Sequence, residues 1–306
     1  MNVIETLKLA KRYGRRWALE DCTLALPAGR VVALVGPNGS GKTTLLHLAV
    51  GLMSQTSGTV TVLGGSRPGS QDALDRVGFM AQSTALYRNL SVEDALRVGR
   101  NLNRRWDNAL ALERLRERDI PLDRKVGKLS GGQQSQVALA LVLAKRPDLL
   151  ILDEPLAALD PLARHEFMSA LMAAVAADGL SVVFSSHVVA ELENVCDHLI
   201  VLSGGRVQVA GDVDDLTASH QVLAGPAEEA GALAASLPVV RQQWAAAQTQ
   251  LLVRAGSGEP LPPGWQSHGV GLEELVLAYL REPSASVLPG PRPAATAAAE
   301  SKGAWA

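Results

Sequence analysis

Short apolar runs alternate with amphipathic stretches along this chain, and that alternation reads as buried strands joined by helices. Arg30-Val31-Val32-Ala33-Leu34-Val35, Leu149-Leu150-Ile151-Leu152 and Leu180-Ser181-Val182-Val183-Phe184-Ser185-Ser186 each predict a buried strand. Val77 to Gln82 predicts another, ending in a lone glutamine, while Thr44–Val50 and about 161–177 have no breaker and predict helices. Ahead of them, Val3–Leu9 and Cys22–Leu26 carry the alternation of a β-rich layer, Pro27-Ala28-Gly29 makes a turn, and Gly58–Gly65 reads as a hairpin.

Ser91 can cap a helix whose Asp94 reaches back to it, and the helical pattern runs from there to Glu117. Leu96, Leu102, Leu110, Leu112 and Leu115 are placed inside, and Arg97, Arg100, Arg104 and Arg105 on a solvated face. A further apolar helix covers 137–144, and Leu199–Leu202 with Arg206–Ala210 form a hairpin across Ser203-Gly204-Gly205. After about 215 the pattern weakens. Gln221–Ala224, Val239–Gln243 and Gln250–Arg254 predict short strands, Gly271–Leu280 an amphipathic helix, and the Pro/Ala/Ser-rich stretch 283–306 disorder.

The 306 residues hold one large domain with an appendage, or two domains. Formal charge is 29 − 31 = −2, which gives no general attraction to nucleic acid or anionic lipid. Hydrophobic content is 47%, yet the longest apolar run, Val137–Ala144, stops at Lys145-Arg146-Pro147, short of the ~18 residues of a membrane span. The opening residues lack a signal-peptide pattern, and Cys22 and Cys196 show no metal spacing, so a cytoplasmic protein is expected.

Chemistry concentrates where strands end. Gly36-Pro37-Asn38-Gly39-Ser40-Gly41-Lys42-Thr43-Thr44 fits G-x-x-x-x-G-K-[ST] between a strand and a helix. Its glycines let backbone N–H groups turn around phosphate oxygens at a helix N-terminus, Lys42 reaches the β/γ-phosphates, and Thr43 takes one Mg²⁺ position. Asp153 and Glu154 end a buried strand, where unpaired charge is costly unless chemistry needs it. Asp153 suits Mg²⁺ and Glu154 an attacking water; strand alternation would point them different ways. Leu129-Ser130-Gly131-Gly132-Gln133 is either a second anion cradle or an ordinary helix cap. Tyr13, read in a polar turn, could stack on a purine or simply pack; His187 follows a later buried strand and could bond a γ-phosphate.

In this order the motifs resemble the ATP-binding subunits of ABC transporters over about residues 1–215. The resemblance implies a P-loop NTPase of α/β class: a mixed RecA-like sheet, an antiparallel β subdomain and an α-helical subdomain at about 83–148, followed by a small C-terminal α/β extension at 216–282. Through it, Tyr13 is the adenine-stacking aromatic, Gly36–Thr44 the Walker A loop and Gln82 the Q-loop glutamine that joins Mg²⁺ and water to the partner surface. Ser130–Gln133 belong to the LSGGQ signature, Asp153 and Glu154 are the Walker B acids, Ala157–Asp160 the D-loop and His187 the switch histidine. The implied machine is a head-to-tail homodimer with two ATPs at its interface, each between Lys42 of one copy and Ser130, Gly131 and Gly132 of the other. Separate membrane permease subunits would hold it at the inner face of the plasma membrane. Many members carry arginine where this chain has Gln136 and Leu141.

The C-terminal extension resembles that of ATPases serving ABC-2-type exporters, so export is the expected direction. Two other readings stand beside this one. A soluble ABC ATPase acting on nucleic acid or ribosomes is opposed by a single nucleotide domain and near-zero charge; a non-catalytic ATP-binding regulator is opposed by Glu154.

Overall fold

The structure, a computed structural model, describes residues 1–282 and Ala285, apart from 83–85, 190, 191, 193, 194, 246, 247 and 255–260. The chain opens with a long hairpin, β1 (Asn2–Tyr13) and β2 (Arg16–Pro27), then β3 (Val31–Val35), α1 (Lys42–Val50), β4 (Ser57–Val62), α2 (Gln71–Arg76) and β5 (Val77–Met80). Helices α3 (Val92–Leu102), α4 (Asn108–Glu117) and α5 (Gly131–Ala144) precede β6 (Leu149–Leu152), α6 (Pro161–Asp178), β7 (Ser181–Ser186), β8 (His198–Ser203) and β9 (Arg206–Asp212). Last come α7 (Val213–Ala218), β10 (His220–Pro226), α8 (Ala230–Ser236), β11 (Val239–Ala245), β12 (Gln248–Arg254), β13 (Gln266–Gly269) and α9 (Leu272–Arg281).

The apolar runs build a six-stranded sheet in the order β5-β6-β7-β3-β8-β9, parallel except for the edge strand β9. Every residue of β3, β6 and β7 is buried, which is why these strands read as continuous apolar runs without alternation. The period of two survives in which side is filled. Val31, Ala33 and Val35 pack with Leu139 and Leu143 of α5 and Phe167 and Leu171 of α6 in one cluster. Val32 and Leu34 join Leu45, Leu46 and Leu48 of α1 and the hairpin's Leu9, Leu19 and Leu24 in another. A parallel sheet sandwiched this way presents all its C-terminal strand ends along one edge.

The antiparallel layer has the order β2-β1-β4. The run Gly58–Gly65 is therefore no hairpin of its own: β4 pairs with the N-terminal strand, Ile4 opposite Val62 and Thr6 opposite Val60. Alternation specified a strand there and could not specify its partner. The helical layer gathers Leu96, Leu115, Val126, Leu129, Val137 and Ala140 into a separate core. Ser91 and Asp94 form the expected capping box at the start of α3. The helical stretch is two helices, because Asn103 ends α3 and Asp107 caps α4, accepting from the Leu110 N–H at 3.0 Å. Leu102 is 78% exposed instead of buried. It lies six residues past Leu96, which at 100° per residue is about 120° off the packed face.

The expected C-terminal strands and helix are present in a four-stranded antiparallel sheet ordered β11-β12-β10-β13. One side, through Val222, Val240 and Leu252 with Leu275, Val276 and Tyr279 of α9, is continuous with the main core at Leu199 and Val201 of β8. Tyr279 meets buried His220, whose Nε2 lies 2.9 Å from the tyrosine hydroxyl while Nδ1 lies 2.6 Å from the Leu216 carbonyl. Helices α7 and α8, of six and seven residues, and the wholly exposed β13 left no periodic pattern to find. The stretch expected to be disordered, 283–306, lies outside the described residues but for Ala285. Among the described residues no helix is long and apolar enough to cross a membrane.

Candidate nucleotide site

The loop between β3 and α1 is shaped by close approaches that only glycine permits. A Cβ on Gly36 would stand 2.1 Å from the Leu202 carbonyl oxygen. Gly41, at φ +108°, is the N-cap of α1, and a Cβ there would stand 2.5 Å from the Ala18 carbonyl oxygen. Because Gly41 supplies no side-chain cap, the first N–H groups of α1 stay free for an anion. Two polar groups of the loop are buried at its mouth. The Ser40 hydroxyl is buried with no hydrogen bond, and Lys42 is only 4% exposed although cationic. Lys42 Nζ donates to the Gly36 and Pro37 carbonyls at 2.7 and 3.3 Å and pairs with Glu154 Oε1 at 3.2 Å.

Glu154 is the hub. Its Oε2 accepts from Gln82 Nε2 at 3.2 Å and lies 3.3 Å from His187 Nδ1. The sheet explains the gathering: Leu152 pairs with Phe184 and Val35 with Ser186, so the residues just past β6, β7 and β3 emerge side by side. The two acids do point different ways, but not by strand alternation. Both lie beyond β6, and Glu154 turns back with φ +45°, a left-handed conformation rare for a non-glycine residue. Asp153 goes inward, 1% exposed, and its Oδ1 accepts from the Ser185 hydroxyl at 2.7 Å.

A cavity of about 500 Å³ opens in front of the loop, lined by Tyr13, Asn38, Gly39, Gly41, Lys42, Thr43, Thr44, Gln82 and Glu154 among the expected residues. Gly36, Pro37, Ser40, Asp153 and His187 do not line the cavity. His187, Glu154, Ser185 and Ser186 instead line an adjoining recess of about 10 Å³, roughly the room of one water. Tyr13 stands at the end of β1 rather than within a turn; the turn is Gly14-Arg15, and Tyr13 is 51% exposed with the Lys11 ammonium 5.3 Å from its ring. Three lining residues were missed: Arg16, Trp17 and Ala18. The hairpin register sets Arg16 opposite Tyr13 and Trp17 opposite Arg12, whose guanidinium lies 5.2 Å from the indole. Tyr13 was a signal for its cross-strand neighbours.

Ser130, Gly131, Gly132, Gln133 and Asp160 line a different cavity, of about 420 Å³, with Gln136. Ser130 caps α5 in a full capping box with Gln133, and Asp160 caps α6 by accepting from the Ala163 N–H at 2.9 Å. Among the described residues none lines both cavities, so the signature and the phosphate loop face separate cavities of one copy.

Loop, sheet order and acids together define a P-loop nucleotide-binding cassette. Residues 19–157 match the family model described as ABC transporter. The sulfate/thiosulfate import ATP-binding proteins CysA of Yersinia pseudotuberculosis and of Escherichia coli strain K12 are each 37% identical over 224 residues, covering 70% of this chain and 61% of theirs. A solved ATP-binding subunit of an ABC transporter is 29% identical with TM-score 0.63, over 71% of this chain and 92% of that one. A solved dimeric bacterial ABC transporter cassette is 26% identical with TM-score 0.61, over 69% and 98%. The chain folds as the ATPase cassette of ABC transporters, and its match to that family's model spans residues 19–157. It spans about three fifths of the length of the curated relatives, 61%.

Proposed function

We propose that this chain is the ATP-hydrolysing subunit of an ABC transporter, working as a head-to-tail pair on permease subunits carried by separate chains. The observation that carries the reading is the single carboxylate of Glu154 within 3.3 Å of Lys42, Gln82 and His187, at the mouth of a phosphate loop. In that setting Lys42 and the free N–H groups of α1 bind the phosphates, and Tyr13 with Trp17 offers the base an aromatic edge. Glu154 orients and deprotonates the attacking water, with His187 and Gln82 fixing the carboxylate.

Mg²⁺ fits the donors present: the exposed Thr43 hydroxyl, the Gln82 amide, and a buried Asp153 carboxylate with one oxygen engaged. When bound, it neutralises charge on the β- and γ-phosphate oxygens. The second cavity, with Ser130, Gly131, Gly132 and Asp160, is the surface offered to the other copy's nucleotide.

An apolar groove of about 330 Å³ between β5 and the helical layer, lined by Phe79, Leu86, Tyr87, Val98, Trp106 and Leu141, supports a seat for the permease. Tyr87 there is 74% exposed, and Gln82, just past β5, links this strand end to Glu154 by its 3.2 Å hydrogen bond. Export remains part of the proposal on the strength of the C-terminal extension, although the curated relatives named above are importers. No comparison supports the nucleic-acid alternative. The test is recovery of the native chain with Mg-ATP from solubilised membranes of its own cell, together with phosphate release. A stoichiometric polytopic partner and steady hydrolysis are expected; nucleic acid or ribosomal proteins in its place would overturn the reading. Vesicles of both orientations then decide direction.

A further inference from the structure

We propose that Ser185 is a positioning residue for ATP hydrolysis: its single hydroxyl sets the metal-binding acid and the catalytic acid in one act. The proposal rests on the hydrolytic reading above. The Ser185 hydroxyl donates to Asp153 Oδ1 at 2.7 Å and accepts from the Glu154 backbone N–H at 2.8 Å. A hydroxyl has one proton and two lone pairs, so giving the proton to Asp153 leaves a lone pair for Glu154. One hydroxyl can therefore make both bonds at once, with Asp153 Oδ1 accepting its proton.

Burial makes the arrangement matter. Ser185 and Asp153 are each 1% exposed, so bulk water does not compete for either bond. Among the described residues Ser185 is the one side chain that hydrogen-bonds Asp153. The backbone of Asp153 is held from the other side, its N–H donating to the Met80 carbonyl at 2.9 Å. The acid is thus clamped between β5 and β7. Glu154 comes next at φ +45°, a conformation a non-glycine residue keeps only when its surroundings impose it, and the bond to Ser185 is such a constraint. Ser186 acts elsewhere, its hydroxyl accepting from the Val188 N–H at 3.0 Å and so closing the turn that carries His187. Two adjacent serines therefore set the acids and the histidine respectively. The pairing is invisible along the chain, since only the β6–β7 register brings Asp153 level with Ser185.

Ser185→Ala removes the hydroxyl without adding volume, and Ser185→Thr keeps it. A fluorescent ATP analogue measures nucleotide affinity with EDTA and across a Mg²⁺ titration, beside phosphate release and a thermal melt. In Ser185→Ala, affinity in EDTA should stay within about twofold, while the half-saturating Mg²⁺ concentration rises about tenfold, the usual scale for losing a group that orients a metal ligand. Turnover at saturating Mg-ATP should fall about tenfold or more with KM for ATP little changed, and Ser185→Thr should restore both. A lower melting temperature with native Mg²⁺ dependence and native turnover per folded molecule would overturn the proposal, leaving Ser185 a packing residue. If Ser185→Thr does not fold, Ser185→Cys, a weaker donor of similar size, should fall between native and alanine in the Mg²⁺ titration. If the native chain hydrolyses nothing, the hydrolytic reading fails by itself, and an unchanged Mg²⁺ titration would still refute the role of Ser185.

Discussion

Two helices of this molecule begin at glycine-rich turns, and they handle their free backbone N–H groups in opposite ways. The first, α1, starts at Gly41 with no side-chain cap and leaves the Ser40 hydroxyl and the Lys42 ammonium buried in the loop. The second, α5, starts at Ser130, whose hydroxyl accepts from the Gln133 N–H at 3.2 Å while Gln133 Oε1 accepts from the Ser130 N–H at 3.2 Å. The α1 loop leaves the Ser40 hydroxyl and its first N–H groups without a side-chain partner; the α5 turn satisfies the Ser130 and Gln133 N–H groups with its own side chains. One is built to bind alone, the other to add its share only when something is brought to it. Along the chain the two look alike.

The largest expected effect sharpens the first site. Glu154→Gln keeps the shape of the hub and removes the base, so turnover should drop about 100-fold or more while nucleotide binding persists. Near-native phosphate release would remove Glu154 from that role. Next comes the cation: Lys42→Ala should weaken ATP affinity about 10-fold or more, since a buried charge-assisted contact to phosphate is lost and Glu154 remains beside the pocket unpaired by it. Retained affinity by calorimetry would mean that the α1 N–H groups suffice, erasing the contrast with α5.

A third variant addresses the α5 turn. A Cβ on Gly132 would stand 3.0 Å from the Ala163 Cβ, so Gly132→Leu fills the second cavity from inside. Single-copy ATP binding should stay within about twofold, because that site shares no residue with this one, while ATP-driven dimerisation by light scattering is lost. Equal loss of both would show that the two turns act within one copy.

How far the sequence carried follows from the range over which each feature is decided. The phosphate loop is local: strand, glycines, lysine and helix start lie within Val31 to Val50, and the structure builds them as read. Buried strands were legible because burial on both faces leaves uninterrupted apolar runs, as in β3 and β6. What register decides was not legible. Trp17 reaches the cavity through its hairpin, Ser185 reaches Asp153 through β6–β7 pairing, and β4 chose the N-terminal strand over a hairpin. The meeting of Gln82, Glu154 and His187 with Lys42 was expected from motif order through a family resemblance; the distances come only from folding. Leu102 shows the opposite limit, where a helical pattern was right and its last turn was assigned to the wrong face.

The smallest effect tests the contrast most directly. Ser130→Ala deletes the hydroxyl that caps α5 and leaves Gln133 Oε1 still able to accept from the residue-130 N–H. If the turn truly satisfies itself, the loss is that of an ordinary cap, about 1 kcal/mol of stability and a few degrees in Tm. The freed Gln133 N–H then becomes available to an anion, as the N–H groups of α1 already are, so added phosphate or sulfate should recover part of that Tm in the variant and less in the native chain. A native chain stabilised by such anions as strongly as the variant, with Lys42→Ala as background to silence the first site, would show that the capping box leaves the cradle open after all.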